Sequence, residues 1–381
     1  MAKIVLDTIK QVKDAPFEGT QFVQEKALKF CKQQELQKAM DKAQKIITEG
    51  DFESYDKVEG LVREALQVGE IEKNVSDIFT GLDTVLEEDY RHPIPMGITG
   101  IDNLLKGGLA KGEIGVILAP TGVGKTTILT KIANTAFNMG YNVLQIFFED
   151  NPKIVQRKHF TIWTGIPPDN LAQHKEEVLG KITEIQETMK NKLILKKLAS
   201  DTMTMSQIKN QVRKMIADGT KIDMILMDYI DCILPESSAK DEWKAEGSVM
   251  RGFEAMCHEL DIAGWTATQG NRSSISSEVV TTDQMGGSIK KAQVGHVIIT
   301  VAKTLQQKEM NLATIAITKS RLGKDGVVFE NCKFNNELLE IDTESSVTFL
   351  GFEEQQEERK RDRVKELLEK RKEREAQKKT L

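Results

Sequence analysis

Residues 117–127 read ILAPTGVGKTT, and this stretch decides the fold of the chain. A short apolar run leads into a loop of small residues, and the loop ends in Gly-Lys-Thr-Thr. The backbone N–H groups of such a turn converge, and a helix that starts at Lys125 adds partial positive charge at the same place. The pattern therefore predicts a phosphate-binding loop. Its residues are Pro120, Thr121, Gly122, Val123, Gly124, Lys125, Thr126 and Thr127.

Two side chains of this loop are expected to carry chemistry. Lys125 supplies a full charge for the β- and γ-phosphates of a nucleotide, and Thr126 supplies a hydroxyl for Mg²⁺. The usual pattern is GxxxxGK[ST], whereas Ala119 stands at its first position here. That position needs a small residue, so the departure is mild. We expect ATP and Mg²⁺ as cofactors.

Composition bounds the class of protein. A chain of 381 residues with 39% hydrophobic composition suggests two or three folding units of roughly 150 residues each. The net charge of -5 excludes a uniformly basic nucleic-acid coat, so a nucleic-acid site must be a local patch. The four cysteines form no CxxC pair, which leaves no readable zinc ribbon or disulfide framework and fits a reducing cytoplasm. Neither a signal-type apolar core nor a run of about 18 apolar residues occurs, so we expect a soluble cytoplasmic protein without a membrane partner.

The chain divides into four predicted parts. Residues 1–74 have apolar side chains at helical spacing and predict a small all-α domain, and residues 75–95 predict a linker helix or arm. Residues 96–350 alternate β-branched runs with helical stretches, which predicts an α/β domain with a mainly parallel sheet. Residues 351–381 are almost wholly polar and favour either a solvated helix or a docking peptide. The predicted strands are 114–119, 142–148, 192–198, 223–228, 264–269, 296–301, 312–318 and 327–334.

An acidic residue ends the apolar run KIDMILMDY at residues 221–229. Given the phosphate loop upstream, Asp228 is predicted to lie beside Thr126 and to hold Mg²⁺ through water. Asp231 follows closely, and we expect it to be a loop or capping acid. These assignments place the second half of a triphosphate site at the end of the fourth strand.

Two further strand ends offer polar side chains. Glu149 follows the strand NVLQIFF and is the candidate base that orients the attacking water, because strand carboxyl ends gather at the ligand crevice of an α/β sheet. Asp150 precedes Asn-Pro and is expected to cap the next helix. Gln269 ends the strand GWTATQ. It is predicted to bond the γ-phosphate or the water, and an ordinary strand-end amide is the alternative.

The segment 269–296 is a long polar loop between two strands, and long loops on rigid scaffolds are usually functional. Backbone N–H groups, a hydroxyl and ammonium groups suit a phosphodiester backbone read without sequence preference, and a disordered surface loop is the alternative. The residues concerned are Gly286, Gly287, Ser288, Lys290 and Lys291.

Lys319 and Arg321 follow a strand as alternate residues and should point to the same side. Such a pair of cations can complete the triphosphate site of a neighbouring subunit, where an arginine finger is worth about 10³–10⁵ in rate. Two solvated charges are the alternative.

Together these motifs resemble the RecA-like motor domain of DnaB-type replicative DNA helicases, from about residue 90 to 345. The stretch APTGVGKTT resembles that family's phosphate loop, and FFEDNPKIVQRK resembles its SLEM strand end. MDYIDCI is similar to IDYLQL, TQGNRSS to SQLNRS, GGSIKKA to SGSIEQD, and TKSRLGKDG to KQRNGPTG. The order and spacing of these motifs carry the resemblance more than any single one.

The resemblance implies a RecA-like P-loop NTPase core with Glu149 as catalytic base, Asp228 as magnesium-site acid, and Lys319 and Arg321 as trans-acting cations. It implies a homohexameric ring that moves 5′ to 3′ on single-stranded DNA, with Arg272 and the glycine-rich loop near the DNA. A primase and a helicase loader are the implied partners. The lean, divergent sequence suggests a bacteriophage member acting in a bacterial cytoplasm.

One departure affects the expected DNA contacts. Before GSI the family has Arg-Glu, whereas Gln284 and Met285 stand here, so that Lys290 or Lys291 would take over. The leading hypothesis is an ATP-dependent replicative DNA helicase. The alternatives are a RecA-type recombinase or other filament-forming DNA-dependent ATPase, and a regulatory or packaging ATPase without DNA translocation.

Overall fold

The structure is a computed structural model of the chain, and it describes most of residues 90–343. The described residues are 20–49, 58, 61–62, 65, 78–79, 82–87, 90–236, 242–271, 273–274, 277–285, 289–343 and 350–351. The chain divides into two compact units, Met1–Glu87 and Glu88–Leu381. Among the described helices none combines the length and the apolar character that crossing a bilayer requires.

Most of the described residues of the first unit are helical. Helix α1 covers Thr20–Glu49, and the short helix α2 covers Leu82–Val85. This agrees with the helical spacing of the sequence. The boundaries proposed at residues 74, 95 and 350 stay predictions, and the tail beyond Gly351 lies outside the described residues.

The second unit is built on one ten-stranded sheet, in the order β10-β8-β7-β6-β1-β5-β4-β2-β3 with β9 paired to β8. The eight predicted strands are all present, with ends that shift by one or two residues. The strands are β1 Ile114–Ala119, β2 Val143–Phe147, β3 Leu193–Lys197, β4 Met224–Asp228, β5 Ala263–Gln269, β6 Val297–Ala302, β7 Leu312–Ser320, β8 Val327–Asn335, β9 Glu340–Asp342 and β10 Leu350–Gly351.

Helices cover this sheet. They are α3 Thr99–Leu104, α4 Lys125–Asn138, α5 Pro152–Thr164, α6 Lys175–Thr188, α7 Met205–Ala217, α8 Glu242–Leu260, α9 Ile289–Val294 and α10 Leu305–Glu309. Local signals fix several ends. Thr204 and Gln207 form a reciprocal capping box at the start of α7, and Gly165 ends α5 in the left-handed conformation.

Strand direction divides the sheet into two parts. The strands β3, β2, β4, β5, β1 and β6 are parallel, so their carboxyl ends lie along one edge. From β6 onward the pairing with β7 and β8 is antiparallel. The fold is therefore the expected mainly parallel RecA-like α/β core, extended on one side by an antiparallel meander.

The central strand β1 is buried along its whole length, as expected for a parallel strand covered on both faces. Ile117 packs on the α4 side and Leu118 on the opposite side, where α7 and α8 lie, because strand side chains alternate. Gly115 pairs with Trp265 of β5, and a Cβ at Gly115 would lie 2.3 Å from Trp265 Cζ3. Glycine at this position is what admits the largest side chain of the core.

A buried polar chain ties helix α5 to the sheet and to α4. His159 of α5 lies 2.9 Å through Nε2 from Gln145 Oε1 of β2. Its Nδ1 lies 2.7 Å from Asn134 Nδ2 of α4. Burial lowers the pKa of His159 to about 3, and the Lys158 charge adds to the effect. His159 is therefore neutral at pH 7 and joins the phosphate-loop helix to the helix that follows Glu149.

Because His159 is buried and neutral, we expect the free energy of unfolding to fall as the pH is lowered. Its pKa is about 3 in the folded protein against an ordinary value of 6.5, so the unfolded chain binds the extra proton first as the pH falls. Stability is complete above pH 6.5 and declines toward pH 3, by up to about 1.4 kcal/mol per pH unit from this residue alone. Urea unfolding followed by tryptophan fluorescence at pH 7, 6 and 5 measures that slope.

His159→Gln should be less stable at pH 7 and should show a shallower pH dependence than the unsubstituted protein. His174→Gln is the matched control, because His174 is exposed and pairs with the nearby Glu177 on the surface. An unchanged slope in His159→Gln would contradict the account.

Candidate active site

The phosphate loop connects β1 to α4 at the carboxyl edge of the sheet. Helix α4 begins at Lys125, as the sequence predicts, with Gly124 as the residue before it. Gly122 and Gly124 have backbone φ angles of 76° and 128°, which residues other than glycine rarely adopt. Lys125 is buried, and its Nζ donates to Ala119 O at 3.4 Å. The geometry leaves the start of α4 facing the crevice where a phosphate would bind.

Residues at the end of β8 and in the turn between β8 and β9 pack against this loop and hydrogen-bond to it. Thr127 Oγ1 donates to Asn336 Oδ1 at 3.0 Å, and Asn336 Nδ2 donates to Val123 O at 3.4 Å. The Phe334 ring lies against Gly124, since a Cβ added there would be 2.6 Å from Phe334 Cε1. Neither Asn336 nor Phe334 was predicted from the sequence. Asn336 lies 209 positions from Thr127, and no local pattern marks such a contact.

Asp228 and Thr126 meet as predicted for a magnesium site. The register that pairs Asp228 with Phe147 places this carboxylate at the end of β4. The Thr126 hydroxyl bonds to it. Burial raises the pKa of Asp228, and the Thr126 bond and the charges of Lys158 and Lys125 oppose that rise. A buried carboxylate and a hydroxyl are oxygen donors that suit Mg²⁺, so the residues present fit that ion.

Glu149 lies at the end of β2, on the same edge and exposed to solvent. Its Oε1 accepts a hydrogen bond from Tyr229 Oη at 3.0 Å. Asp150 does not cap the next helix: Asn151 is the N-cap, because its Oδ1 accepts from Lys153 N at 2.9 Å. Asp150 instead pairs with Lys158 Nζ at 2.8 Å, and the expectation for that acid was wrong by one residue.

Asp231 joins three elements near Gln269. Its carboxylate accepts from Gln269 N at 3.1 Å, from Thr268 Oγ1 at 2.9 Å, and from Lys291 Nζ at 2.5 Å. The acid therefore serves as the loop acid that the sequence suggested, and it also ties the end of β5 to helix α9. Gln269 pairs with Ala119 and so ends β5 beside the start of the phosphate loop.

The predicted DNA contacts are described only in part. Arg272 and residues 286–288 lie outside the described residues, as does the side chain of Lys290. Lys291 is 3% exposed and engaged by Asp231, so a DNA contact through its ammonium would require that ion pair to open. The assignment of these residues to DNA stays a prediction.

Lys319 and Arg321 lie on one side of the chain, as their alternation predicts. Lys319 Nζ donates to the carbonyls of Ala292 and Gln293 at 2.7 and 2.8 Å, and an Arg321 guanidinium nitrogen donates to Gln293 O at 2.9 Å. Both cations thus hold the last turn of α9. Burial lowers the pKa of Lys319 to about 8, and the neighbouring Arg321 charge adds to the effect.

These features define a class of protein: a RecA-like α/β core with a phosphate-loop pattern after β1, and with an acid beside Thr126 and a candidate base after neighbouring strands. The family model of the DnaB-like helicase C-terminal domain matches residues 93–342. The chain therefore belongs to the DnaB-like helicase family.

Individual relatives are distant. The DNA repair protein RadA of Aquifex aeolicus (strain VF5) is 30% identical over 125 residues, which is 33% of this chain. The match spans about a quarter of that relative's length, 27%. A solved structure of a DnaB-like replicative helicase and its interactions with primase aligns with a TM-score of 0.64 at 17% identity, over 81% of this chain and 76% of the other. A second solved structure, an isolated ATPase domain, aligns with a TM-score of 0.56 at 17% identity, over 75% of this chain and 97% of the other. These likenesses confirm the fold.

The glycines of the loop differ in what surrounds them, which predicts unequal effects of alanine. A Cβ at Gly122 meets nothing within 4 Å, so Gly122→Ala has only the positive φ to accommodate, about 1 kcal/mol. A Cβ at Gly124 would lie 2.5 Å from Asn336 Oδ1 and would strike Phe334 as well, so Gly124→Ala should cost about 3 kcal/mol. Thermal unfolding without nucleotide compares the two, and equal losses would contradict the packing described for the turn.

Proposed function

We propose that this protein is an ATP-dependent replicative DNA helicase, a homohexameric ring that translocates 5′ to 3′ on single-stranded DNA and unwinds the duplex at the fork. The observation that carries the proposal is the meeting of the Asp228–Thr126 pair and Glu149 with the phosphate loop at one sheet edge, in a chain of the DnaB-like family. The bound nucleotide would be ATP with Mg²⁺.

Each residue of the crevice has a distinct part in hydrolysis. Lys125 and the N–H groups at the start of α4 bind the β- and γ-phosphates. Thr126 and Asp228 hold Mg²⁺, which when bound offsets charge that develops on the phosphates. Glu149 accepts the proton of the attacking water, and Gln269 bonds the γ-phosphate or that water. The remaining loop residues, from Pro120 to Thr127, shape the cradle.

The position of Lys319 and Arg321 supports action on a neighbouring subunit. Strand β7 is antiparallel to β6, so Ser320 pairs with Val297 at the start of β6. The two cations therefore lie at the amino edge of the parallel strands, whereas the phosphate loop lies at the carboxyl edge. Six residues of β1 separate the two edges, on the order of 20 Å. Within one chain the pair is remote from its own nucleotide, so a second copy must receive it.

The contacts of Lys319 and Arg321 also support the idea that both side chains can leave helix α9. Carbonyls at the end of α9 accept from the Lys319 ammonium, while burial and then the neighbouring Arg321 charge lower its pKa to about 8. A triphosphate with several negative charges is a stronger partner than neutral carbonyls. We infer that the pair leaves α9 when the adjacent subunit presents ATP.

The arm near residues 75–95 offers apolar surface for contact between subunits. Ile78, Val85 and Leu86 are 82%, 61% and 80% exposed, and several large apolar side chains exposed on one short segment favour an interaction site. A second copy of the chain is the proposed partner, which agrees with a ring.

DNA, primase and loader complete the proposed partners. Arg272, the 286–288 loop and the two lysines after it would hold the backbone of single-stranded DNA within the ring. The solved relative described with primase supports a primase partner, and a helicase loader rests on the family resemblance alone. We place the protein in the cytoplasm of a bacterium, or of a bacterium infected by a phage.

A recombinase or filament-forming DNA-dependent ATPase is the second candidate. The observation in its favour is the match of 125 residues to a DNA repair protein. Electron micrographs with ATP and single-stranded DNA separate the two functions, since closed rings support the helicase and open filaments the recombinase.

Two variants that are inactive alone should restore ATP turnover when mixed. Lys125→Ala should abolish turnover, and Arg321→Ala should bind nucleotide yet lose about 10³-fold or more in rate. A mixed ring contains interfaces with an intact phosphate loop from one variant and an intact Arg321 from the other. DNA-stimulated phosphate release from the mixture should therefore rise well above that of either variant alone.

Lys324→Ala is the matched control, because it removes an exposed cation three positions from Arg321 and should keep full turnover. A mixture that stays inactive, or an Arg321→Ala protein with normal turnover, would show that Arg321 does not act on a neighbouring site.

A further inference from the structure

Tyr229 contacts both the candidate base Glu149 and the phosphate-loop lysine Lys125. It follows Asp228 directly, with an extended backbone before the 3-10 turn Ile230–Cys232. The parallel register of β2 and β4 places this residue opposite the segment that carries Glu149. The side chain is therefore fixed by the two strands that form the crevice, and it is half-buried there.

The phenol has an anion on one side. Its Oη donates to Glu149 Oε1 at 3.0 Å, and it also has a hydrogen-bond contact with the Cys232 thiol. Burial raises the pKa of Tyr229, with Cys232 and then Glu149 adding to the rise. The phenolic O–H is the donor and a Glu149 oxygen the acceptor, so this bond holds the carboxylate beside Tyr229.

The ring has a cation on its face. Lys125 Nζ lies 5.7 Å from the Tyr229 ring centroid, within the range of a cation–π contact. Burial lowers the pKa of Lys125, and the charges of Asp228, Asp231 and Glu149 oppose that shift. One side chain therefore contacts both charged groups: its ring lies beside the Lys125 ammonium, and its hydroxyl bonds to the Glu149 carboxylate.

We propose that Tyr229 is a positioning residue for ATP hydrolysis: its hydroxyl orients the Glu149 carboxylate, and its ring keeps that carboxylate from closing on Lys125. A direct ion pair would occupy both groups, since the carboxylate would lose basicity toward water and the ammonium would be withheld from phosphate. With the ring in place, Glu149 stays oriented toward the crevice and Lys125 stays available. The inference rests on the proposed role of Glu149 as base.

Two substitutions at this position separate the two actions. Tyr229→Phe removes the bond to Glu149 and keeps the ring beside Lys125. It should lower kcat about tenfold, because a misplaced base loses rate, and should leave KM for ATP within twofold. Tyr229→Leu removes the ring as well, so it should lower kcat at least as far and raise KM about threefold or more. Tyr141→Phe is the control, since Tyr141 precedes β2 at the opposite edge of the sheet.

A double-mutant cycle distinguishes positioning from a general structural effect. If Tyr229 acts through Glu149, Tyr229→Phe should cost nothing further in a Glu149→Gln protein. Steady-state turnover of the four proteins with single-stranded DNA gives the cycle. Equilibrium binding of the methylanthraniloyl derivative of ATP shows that each variant retains a folded nucleotide site.

The outcomes separate this proposal from the function on which it rests. If the Glu149→Gln protein turned over ATP as fast as the unsubstituted protein, Glu149 would not be the base. The proposed role of Tyr229 would then be wrong as well. An inactive Glu149→Gln beside a Tyr229→Phe protein of normal kcat would overturn only the positioning role. A tenfold loss that persists in the Glu149→Gln background would likewise show that Tyr229 does not act through Glu149.

Discussion

The parallel pairing of β1, β5, β4 and β2 is the constraint on which the rest of the site depends. This pairing aligns Ala119 with Gln269 and Phe147 with Asp228, so four strands end together at one edge. Each strand is buried on both faces, which leaves its end as the place where polar side chains reach solvent. The phosphate loop, Asp228 and the candidate base are neighbours because these strands run in one direction.

The reversal of direction after β6 has the opposite consequence. Because β7 runs back, Lys319 and Arg321 emerge at the amino edge, where they hold the end of α9. If these cations act on a triphosphate, as proposed, that triphosphate is bound by a second copy of the chain. The antiparallel meander therefore links the fold of one chain to the proposed assembly. Helix α9 also contacts Asp231 beside Gln269, so one short helix binds Lys319 and Arg321 and is also tied, through Asp231, to the end of β5.

The features that local sequence encodes were predictable. The glycine turn before Lys125, the apolar strands and the polar residue after each strand are local patterns, and the structure has the eight predicted strands. The N-cap of α5 was predicted at Asp150 and lies at Asn151, so such patterns locate a helix end to within about one residue. The pair Asn151-Pro152 carried the better signal, since asparagine before proline is a strong start for a helix.

Contacts between distant segments were not predictable in the same way. Asn336 reaches Thr127 across 209 positions, and Lys291 pairs with Asp231 across 60. Tyr229 follows a recognised acid directly, yet only the register of β2 against β4 places its hydroxyl on Glu149. Such contacts depend on how strands are ordered in the sheet, and no periodicity along the chain specifies that order.

The measurement that tests the central claim most directly is ATP-dependent unwinding of labelled forked DNA that carries a single-stranded 5′ tail, a 3′ tail or both. In the proposed helicase, a ring of subunits surrounds one DNA strand, and neighbouring subunits share each hydrolytic site. It predicts unwinding with ATP and Mg²⁺ of every substrate that has a free 5′ tail, and none of the substrate that has only a 3′ tail. Hydrolysis that proceeds while all three substrates stay paired, or unwinding that requires the 3′ tail, would contradict it.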